Sequence, residues 1–436
     1  MQVSRPFLAA VLVVRDEARQ LSACLAGLAD LVDEVIVHDT GSLDGTVEIA
    51  RAVGATVHEG FWDDDFARAR NLGLELATAD WVLVVDADER VGPLPPPDRG
   101  ALVRLLTTTE ADVLTVAVRN VYPEELGGSY RHPGPRLLRR RFVRYVGRVH
   151  EQPLSRRGNR IAACPPEVLS LDHLGYLDGQ IVRAKAVRNA EIARAELRRL
   201  RVATGVGASP DVLAKVVLDL GRSLVVCGLR QEAVDAFEVV RALVPGTPCA
   251  VEATDGLARL LLAAGMDDVV LVLAEELRSA GVDRRYCDWM RAQALAQLGG
   301  AAEALALLRS VDLLRDSAGR ELDLGQVVEM HGLMAQLAGS GEEAILCLLD
   351  AMVGHGRLRG RGPVLLDVWG SRPAAELARR LGETLDRARE APGALDRRAD
   401  VVAELGRCHP PGPEVAAALA EAGDSRSADA CGKSWR

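Results

Sequence analysis

Two carboxylates separated by one residue, Asp86 and Asp88, follow a hydrophobic run that ends at Val85. When such a run is a strand, the pair projects from the carboxyl edge of a parallel sheet, where open α/β folds bind their ligands. Carboxylate oxygens are the ligands that Mg²⁺ and Mn²⁺ prefer, and these ions keep further positions for phosphate and water. The pair therefore indicates a divalent-cation site, although an Asp at a strand end also serves turns alone.

Polar groups at other element ends favour a nucleotide as the ligand. Asp39 ends a second apolar run, where a carboxylate accepts hydrogen bonds from a ribose or a base, and Asp16 and Glu17 follow the first run. Arg70 and Asn71 lie in the first turns of a predicted helix, where a guanidinium reaches phosphate oxygens. Separate stretches of the chain thus bring nucleotide-binding groups to one predicted rim.

The elements that position these groups alternate between short β-branched runs and helical periods, which is typical of a βαβ architecture with a mostly parallel, Rossmann-like sheet. The sequence predicts strands at Phe7–Val14, Glu34–His38, Ala55–His58, Trp81–Val85 and Val113–Val118, the last of which completes the sheet. It predicts helices at Ala18–Leu31, Val47–Val53, Phe66–Ala77 and 98–108. Residues 130–150 are predicted to be extended.

From about residue 178 the pattern becomes helical and carries an internal repeat. Gly228, Gly265, Gly299 and Gly339 each separate two apolar helical segments, at spacings of 37, 34 and 40 residues. This spacing resembles degenerate tetratricopeptide repeats over 206–350, because such units recur about every 34 residues. A helical bundle with glycine turns is the alternative. We predict three domains: α/β over 1–205, repeats over 206–350, and helical segments with a loose tail over 351–436.

The composition excludes several classes of protein. With 436 residues, of which 48% are hydrophobic, the chain can form two or three cores and is not predicted to be disordered. No apolar run approaches the ~20 residues of a membrane span, so neither a transmembrane helix nor a signal peptide is expected. The eight cysteines occur singly, without metal-ligand spacing, which favours a reducing, cytoplasmic location.

Positive charge is concentrated in the middle of the chain. Residues 101–200 carry 18 Arg and Lys against 10 Asp and Glu, whereas the whole chain has a net charge of −9. This local excess favours an anionic ligand, or at most peripheral membrane contact, over a nucleic-acid track. Arg136, Arg139, Arg140, Arg141, Arg144 and Arg148 contribute to it. On an alternating strand half of them face solvent, and we expect most to make no specific contact.

The order of these motifs resembles the family 2 glycosyltransferases, which have the GT-A fold and transfer a sugar from a nucleotide sugar with inversion. The resemblance covers about residues 1–180. It is carried by Val13–Glu17, Asp33–Thr46, Asp65–Asn71 and Trp81–Glu89, and more weakly by Arg136–Arg139 and Gly147–Gln152. One departure is Arg15-Asp16, where the family usually has Lys-Asn. The resemblance also extends to a subgroup that carries helical repeats after the transferase domain.

The resemblance implies roles for individual residues. The nucleotide-sugar-binding set is Asp16, Glu17, Asp39, Ser42, Arg70, Asn71 and Asp86. Asp88 would hold Mn²⁺ or Mg²⁺, with His173 as a further ligand or as a structural histidine. Glu151, in a His-Glu step, would be the general base that takes the acceptor's proton, or else a surface carboxylate in a loop.

Three rival functions are considered. A haloacid-dehalogenase-type phosphatase would have Thr or Val two residues after the second Asp, and Arg90 at this position argues against that function. A sugar nucleotidyltransferase needs a glycine-rich loop after the first strand, and Val14–Glu17 contains no glycine. The main alternative is a degenerate transferase domain that serves, with the repeats, as a protein-binding scaffold. The acceptor is left open among a glycan, a lipid-linked sugar, a peptide and a small metabolite.

Overall fold

The computed structural model describes residues 6–92, 98–121, 130–148, 151–175, 179–202, 209–389 and 397–421. An α/β region with a mixed, mostly parallel sheet comes first, and an all-helical repeat region follows, as the sequence predicts. The chain groups into two compact units, Met1–Leu260 with Ser317–Leu322, and Leu261–Asp316 with Asp323–Arg436. Our domain boundaries at residues 205 and 350 remain predictions.

Eleven strands are present in the described residues. They are β1 (Leu8–Val14), β2 (Glu34–Asp39), β3 (Thr56–Glu59), β4 (Trp81–Val84), β5 (Glu89–Val91), β6 (Val113–Asn120), β7 (Tyr130–Arg139), β8 (Val143–Val146), β9 (Gln152–Ser155), β10 (Ile161–Ala163) and β11 (Ser170–His173). The main sheet has the order β3-β2-β1-β4-β7-β6-β11-β5, and β10 also pairs with β6. The strands β8 and β9 form a separate hairpin.

The centre of the sheet explains why the predicted carboxylates meet. Strand β1 pairs in parallel with both β2 and β4, with Val14 opposite Asp39 and Val11 opposite Val84. The carboxyl ends of these three strands therefore lie side by side. Their interior residues are buried, which fits strands covered on both faces.

The prediction that Val113–Val118 completes the sheet is wrong. Strand β7 inserts between β4 and β6 and is antiparallel to both. Strand β11 then pairs in parallel with β6 and antiparallel with β5, which places His173 opposite Glu89. Strands of three or four residues such as β5 and β11 carry too little periodicity to be read from sequence.

Four helices belong to the sheet region: α1 (Ala18–Leu28), α2 (Thr46–Ala52), α3 (Phe66–Leu76) and α4 (Arg99–Thr108). Asp65 caps the N-terminus of helix α3, and its carboxylate accepts a hydrogen bond from the backbone N–H of Arg68. This cap satisfies an otherwise unpaired donor and fixes the start of the helix. The hydrophobic faces of these helices pack against the sheet in two cores.

Twelve named helices follow in the described residues. They are α5 (Gly179–Val202), α6 (Pro210–Cys227), α7 (Arg230–Leu243), α8 (Pro248–Leu262), α9 (Asp267–Ser279), α10 (Arg284–Gln297), α11 (Ala301–Leu308), α12 (Gly325–Leu337), α13 (Gly341–Val353), α14 (Arg361–Trp369), α15 (Ala374–Arg389) and α16 (Arg398–Gly406). Among the described residues, none of the helices combines the length and the hydrophobicity that a membrane span requires.

The four repeat glycines occupy the predicted turns. Gly228, Gly265, Gly299 and Gly339 have φ angles of 78°, 72°, 85° and 79°, in the left-handed region that favours glycine. Each stands between the two helices of a repeat. The glycine positions are therefore confirmed as helix-turn-helix corners, and the small residue five positions later is buried in each following helix.

Candidate active site

The loops after β1 and β2 are held together by polar contacts. The backbone N–H of Asp16 donates to Oγ of Ser42 at 2.8 Å, and Oδ1 of Asp16 accepts from the N–H of Leu43 at 2.7 Å. Asp39 accepts from the N–H groups of Gly41 and Ser42, both at 2.9 Å, and from the Ser42 hydroxyl. These side chains therefore fix the shape of the rim at the ends of both strands.

A buried ion network surrounds Asp86. Nη2 of Arg70 lies 3.0 Å from Oδ1 of Asp86, and Nη2 of Arg136 lies 3.5 Å from Oδ2 and 2.6 Å from Oε1 of Glu89. Burial opposes ionisation of Asp86, but the charges of Arg70 and Arg136 outweigh it and hold its pKa below the ordinary value. Burial raises the pKa of Glu89, and Arg136 offsets this only in part.

Arg70 also contacts the predicted general base. Its Nε donates to Oε1 of Glu151 at 2.5 Å, so one guanidinium bridges Glu151 and Asp86. In the described part of the chain, Nη1 of Arg70 is buried and has no hydrogen-bond partner. The neighbouring Asn71 has another task, because its side-chain amide exchanges two hydrogen bonds of 2.9 Å with the backbone of Tyr145.

Asp88 lies on the other side of the rim, with only 8% of its side chain exposed. Nε2 of His173 is 3.4 Å from Oδ1 of Asp88, and Nζ of Lys185 is 2.7 Å from Oδ2. Burial lowers the pKa of His173 and of Lys185. The contact with the negatively charged Asp88 outweighs this effect, so the pKa of each group is raised. The ring of His173 is oriented by Asn120, whose Oδ1 lies 2.8 Å from Nδ1.

The space beside Asp88 and His173 is the place where the described residues could hold a divalent cation. A Cβ added to Gly175 would clash with Oδ2 of Asp88 and lie 2.8 Å from Nε2 of His173, so this glycine leaves a small gap at two metal-ligating atoms. An oxygen and an imidazole nitrogen suit Mn²⁺. No cluster of three His, Cys, Asp or Glu ligands occurs among the described residues, so a cation here needs additional oxygens from phosphate or water.

A cavity of about 220 Å³ opens at this rim. Its walls come from the ends of β1, β2, β4 and β11 and from helices α3 and α5. The lining residues are Val13, Val14, Arg15, Glu17, Thr40, Trp62, Phe66, Arg70, Asp86, Ala87, Asp88, His173, Lys185 and Arg188. The cavity therefore combines acidic groups, several cations and two aromatic rings.

Comparison with known proteins identifies the family of the sheet region. Residues 10–156 match the family model described as Glycosyl transferase family 2. They form a family 2 glycosyltransferase domain. The glycosyltransferase SunS of Bacillus phage SPbeta is 29% identical over 153 residues, or 34% of this chain and 35% of SunS.

The chain is also similar to two further proteins. A TPR repeat-containing protein of Synechococcus elongatus is 52% identical over 80 residues, or 18% of this chain and 20% of that protein. The chain thus spans about a third or less of the length of these two relatives. The solved structure of glucosyl-3-phosphoglycerate synthase from Mycobacterium tuberculosis with Mn²⁺ and UDP is 25% identical over 28% of this chain and 46% of that chain. The TM-score of this comparison is 0.22.

The glycosyltransferase domain brings together only part of the residue set that the sequence predicts. The cavity is lined by Glu17, Arg70, Asp86, Asp88 and His173. Asp16, Asp39 and Ser42 belong to the two loops that shape its rim, Asn71 joins α3 to β8, and Glu151 contacts Arg70. Their roles toward a nucleotide sugar remain predictions. Val149 and His150, in the motif that suggests Glu151, lie outside the described residues.

The expectation that most arginines at 136–148 make no specific contact is wrong. Arg136 enters the buried network, and Arg139 stacks over the Trp81 ring at 4.5 Å. Arg140 donates to the carbonyl oxygen of Ala79, and Arg148 lies 3.7 Å from Asp65. These guanidinium groups tie β7 and the residues that follow it to neighbouring elements, because a long side chain can reach beyond its own strand.

Sequence reasoning missed Lys185 and Arg188, which reach the cavity from α5, beyond the matched family domain. One signal was available for Lys185: it is one of three lysines among 53 basic residues. Arg188 stacks over the ring of Phe66 at 5.1 Å, and Trp62 packs edge-on against Phe66. Thr40 was also missed, although it follows Asp39 directly.

Proposed function

We propose that the protein is a metal-dependent, inverting glycosyltransferase that moves a sugar from a nucleoside-diphosphate sugar to an acceptor. One observation carries the proposal: Asp86, Asp88, Arg70 and His173 line a single cavity at the carboxyl edge of the sheet. This is the edge at which open α/β folds bind nucleotides. The family match of residues 10–156 supports the same reaction class.

Asp88 and His173 would hold Mn²⁺ or Mg²⁺ beside Gly175. When bound, the cation neutralises the charge that develops on the departing diphosphate. Arg70 supports the same end of the ligand, since its buried Nη1 is a donor without a partner among the described residues and can reach a phosphate oxygen. Asp86 keeps Arg70 in place through the 3.0 Å ion pair.

Glu151 is the proposed general base. The acceptor hydroxyl attacks the anomeric carbon, the bond from that carbon to the diphosphate oxygen breaks, and the hydroxyl proton passes to Glu151. The contact with Arg70 holds this carboxylate near the site. Asp39, Asp16, Glu17, Ser42 and Asn71 stay in the proposed nucleotide-binding set, directly or through the loops they hold.

The acceptor remains open among a glycan, a lipid-linked sugar, a peptide and a small metabolite. The helical repeats are the proposed site for a protein partner, because stacked repeats present extended grooves. The described cysteines are free thiols, which supports our proposal of a cytoplasmic location.

A crystal soaked with UDP or GDP and Mn²⁺ tests the proposal. We expect the diphosphate in the cavity, with Mn²⁺ on Asp88 and a phosphate oxygen on Arg70. A scaffold with a degenerate site predicts an empty cavity with both nucleotides, and that result would favour the alternative function.

A further inference from the structure

Lys185 occupies an oxygen atom that the proposed cation also needs. Its Nζ lies 2.7 Å from Oδ2 of Asp88, and the same Oδ2 borders the gap left by Gly175. The ammonium and a divalent cation would both bind this carboxylate oxygen. At such short range their positive charges repel each other, so binding of either one to this oxygen weakens binding of the other.

Neighbouring charges affect how strongly Lys185 competes with a divalent cation for Asp88. Asp88 and Glu17 both line the cavity. The pKa of Glu17 is raised mainly because the side chain is buried and, to a smaller extent, because the negative charge of Asp88 is near. Lys185 supplies one positive charge to this acidic pair, and it interacts with both carboxylates. With the ammonium in place, the pocket attracts a free divalent cation less strongly than Asp88 and His173 alone would.

The side chain of Lys185 is not enclosed. It belongs to α5, and 40% of it is exposed. A lysine presents a point charge on a flexible four-carbon stem, so it can exchange one anionic partner for another without backbone movement. A diphosphate in the same cavity offers such a partner.

We propose that Lys185 makes cation binding depend on the nucleotide. In the free protein its ammonium pairs with Asp88, and when a nucleoside diphosphate enters, the ammonium transfers to a phosphate oxygen and leaves Oδ2 of Asp88 to the cation. Nucleotide and cation thereby each strengthen the binding of the other, as linkage requires. This inference rests on the proposed function.

The experiment measures free Mn²⁺ by electron paramagnetic resonance during titration of the full chain, with and without UDP or GDP. The test variant is Lys185→Met, and Lys215→Met, an exposed lysine on α6, is the matched control. Without nucleotide we expect Lys185→Met to bind Mn²⁺ at least about fivefold more tightly than the wild type, and the gain in Mn²⁺ affinity on adding nucleotide to shrink by a similar factor. Lys215→Met should behave as the wild type.

Unchanged or weaker Mn²⁺ binding by nucleotide-free Lys185→Met would overturn the inference, and so would an equal effect in Lys215→Met. The melting temperature of each variant, with Lys185→Gln as a second substitution, separates these results from misfolding. The proposed function fails on a different result: a wild type that binds neither nucleotide with Mn²⁺. A wild type with metal-dependent nucleotide binding that Lys185→Met leaves unaltered contradicts the lysine's role alone.

Discussion

Arg70 and Glu151, which are 81 residues apart in sequence, are joined by a 2.5 Å hydrogen bond from Nε to Oε1. The same guanidinium donates to Asp86 at 3.0 Å. The residue proposed to take the acceptor's proton and the residue proposed to hold the diphosphate are therefore mechanically connected. A ligand that draws Arg70 toward a phosphate also changes the hydrogen bonding of Glu151.

Glu151→Gln should separate binding from transfer. The amide oxygen can still accept from Arg70, but it takes no proton, so we expect transfer to fall by about 10²–10⁴-fold. Nucleotide affinity should stay within about threefold of the wild type, because only an interaction of the transition state is lost. Glu48→Gln, at an exposed position on α2, is the control. Transfer at the wild-type rate would remove Glu151 from the mechanism.

Gly175→Ala should block the cation without altering any charge. The added methyl group would clash with Oδ2 of Asp88 and crowd His173, closing the gap between them. We expect Mn²⁺-dependent nucleotide binding to weaken by at least about tenfold, or ~1.4 kcal/mol. Gly158→Ala is a steric control, since a Cβ there meets no atom within 4 Å, although its φ of 90° costs some stability. Unchanged Mn²⁺ dependence in Gly175→Ala would place the cation elsewhere.

Arg136→Met should destabilise the glycosyltransferase domain. Arg136 is the buried partner of Glu89, of which 1% is exposed, and it also lies near Asp86. Removal of one member of a buried ion pair leaves an uncompensated charge and costs about 3–5 kcal/mol. Urea unfolding measures the loss. Arg141→Met, on an exposed turn, should change stability by no more than about 0.5 kcal/mol.

Glu343 should make the stability of the helical repeats depend on pH. It accepts hydrogen bonds from Arg309 at 2.7 and 2.9 Å, and Nε2 of His331 lies 2.8 Å away. The contact with Arg309, followed by that with His331, lowers the pKa of Glu343 to about 2. A lowered carboxyl pKa stabilises the fold above the ordinary value of 4.5, and this contribution is lost as pH falls through about 2.

Glu343→Gln tests that dependence by thermal unfolding. Because Arg309 is half exposed, solvent screening limits the effect to about 1 kcal/mol at neutral pH, which corresponds to a melting shift of about 2–4 °C. At about pH 2 the variant and the wild type should melt closer together. A difference that is the same at both pH values would show that the ion pair contributes nothing.

The part of the site that follows from local pattern could be predicted. Strand ends at Asp39 and Asp86 are visible as apolar runs that stop at a carboxylate, and parallel pairing with β1 brings those ends together. The repeat glycines are predictable for a similar reason. The residue that follows a helix often adopts the left-handed backbone conformation, which favours glycine at that position.

The other part depends on long-range contacts that no local pattern carries. Lys185 reaches Asp88 from a helix outside the sheet, and α5 shows only a helical period in sequence. The antiparallel pairing of β5 with β11 puts His173 opposite Glu89 through strands of three and four residues. Arg136 reads as one of several exposed arginines until the insertion of β7 beside β4 buries it.

Calorimetric titration of the wild type and of Asp88→Asn with UDP and GDP, each with Mn²⁺ and with EDTA, tests the central claim most directly. We predict that at least one nucleotide binds the wild type in the presence of Mn²⁺, and that EDTA or the Asp88→Asn substitution abolishes this binding. Binding that is indifferent to both, or no binding of either nucleotide with Mn²⁺, would contradict the claim that a cation at Asp88 holds the diphosphate.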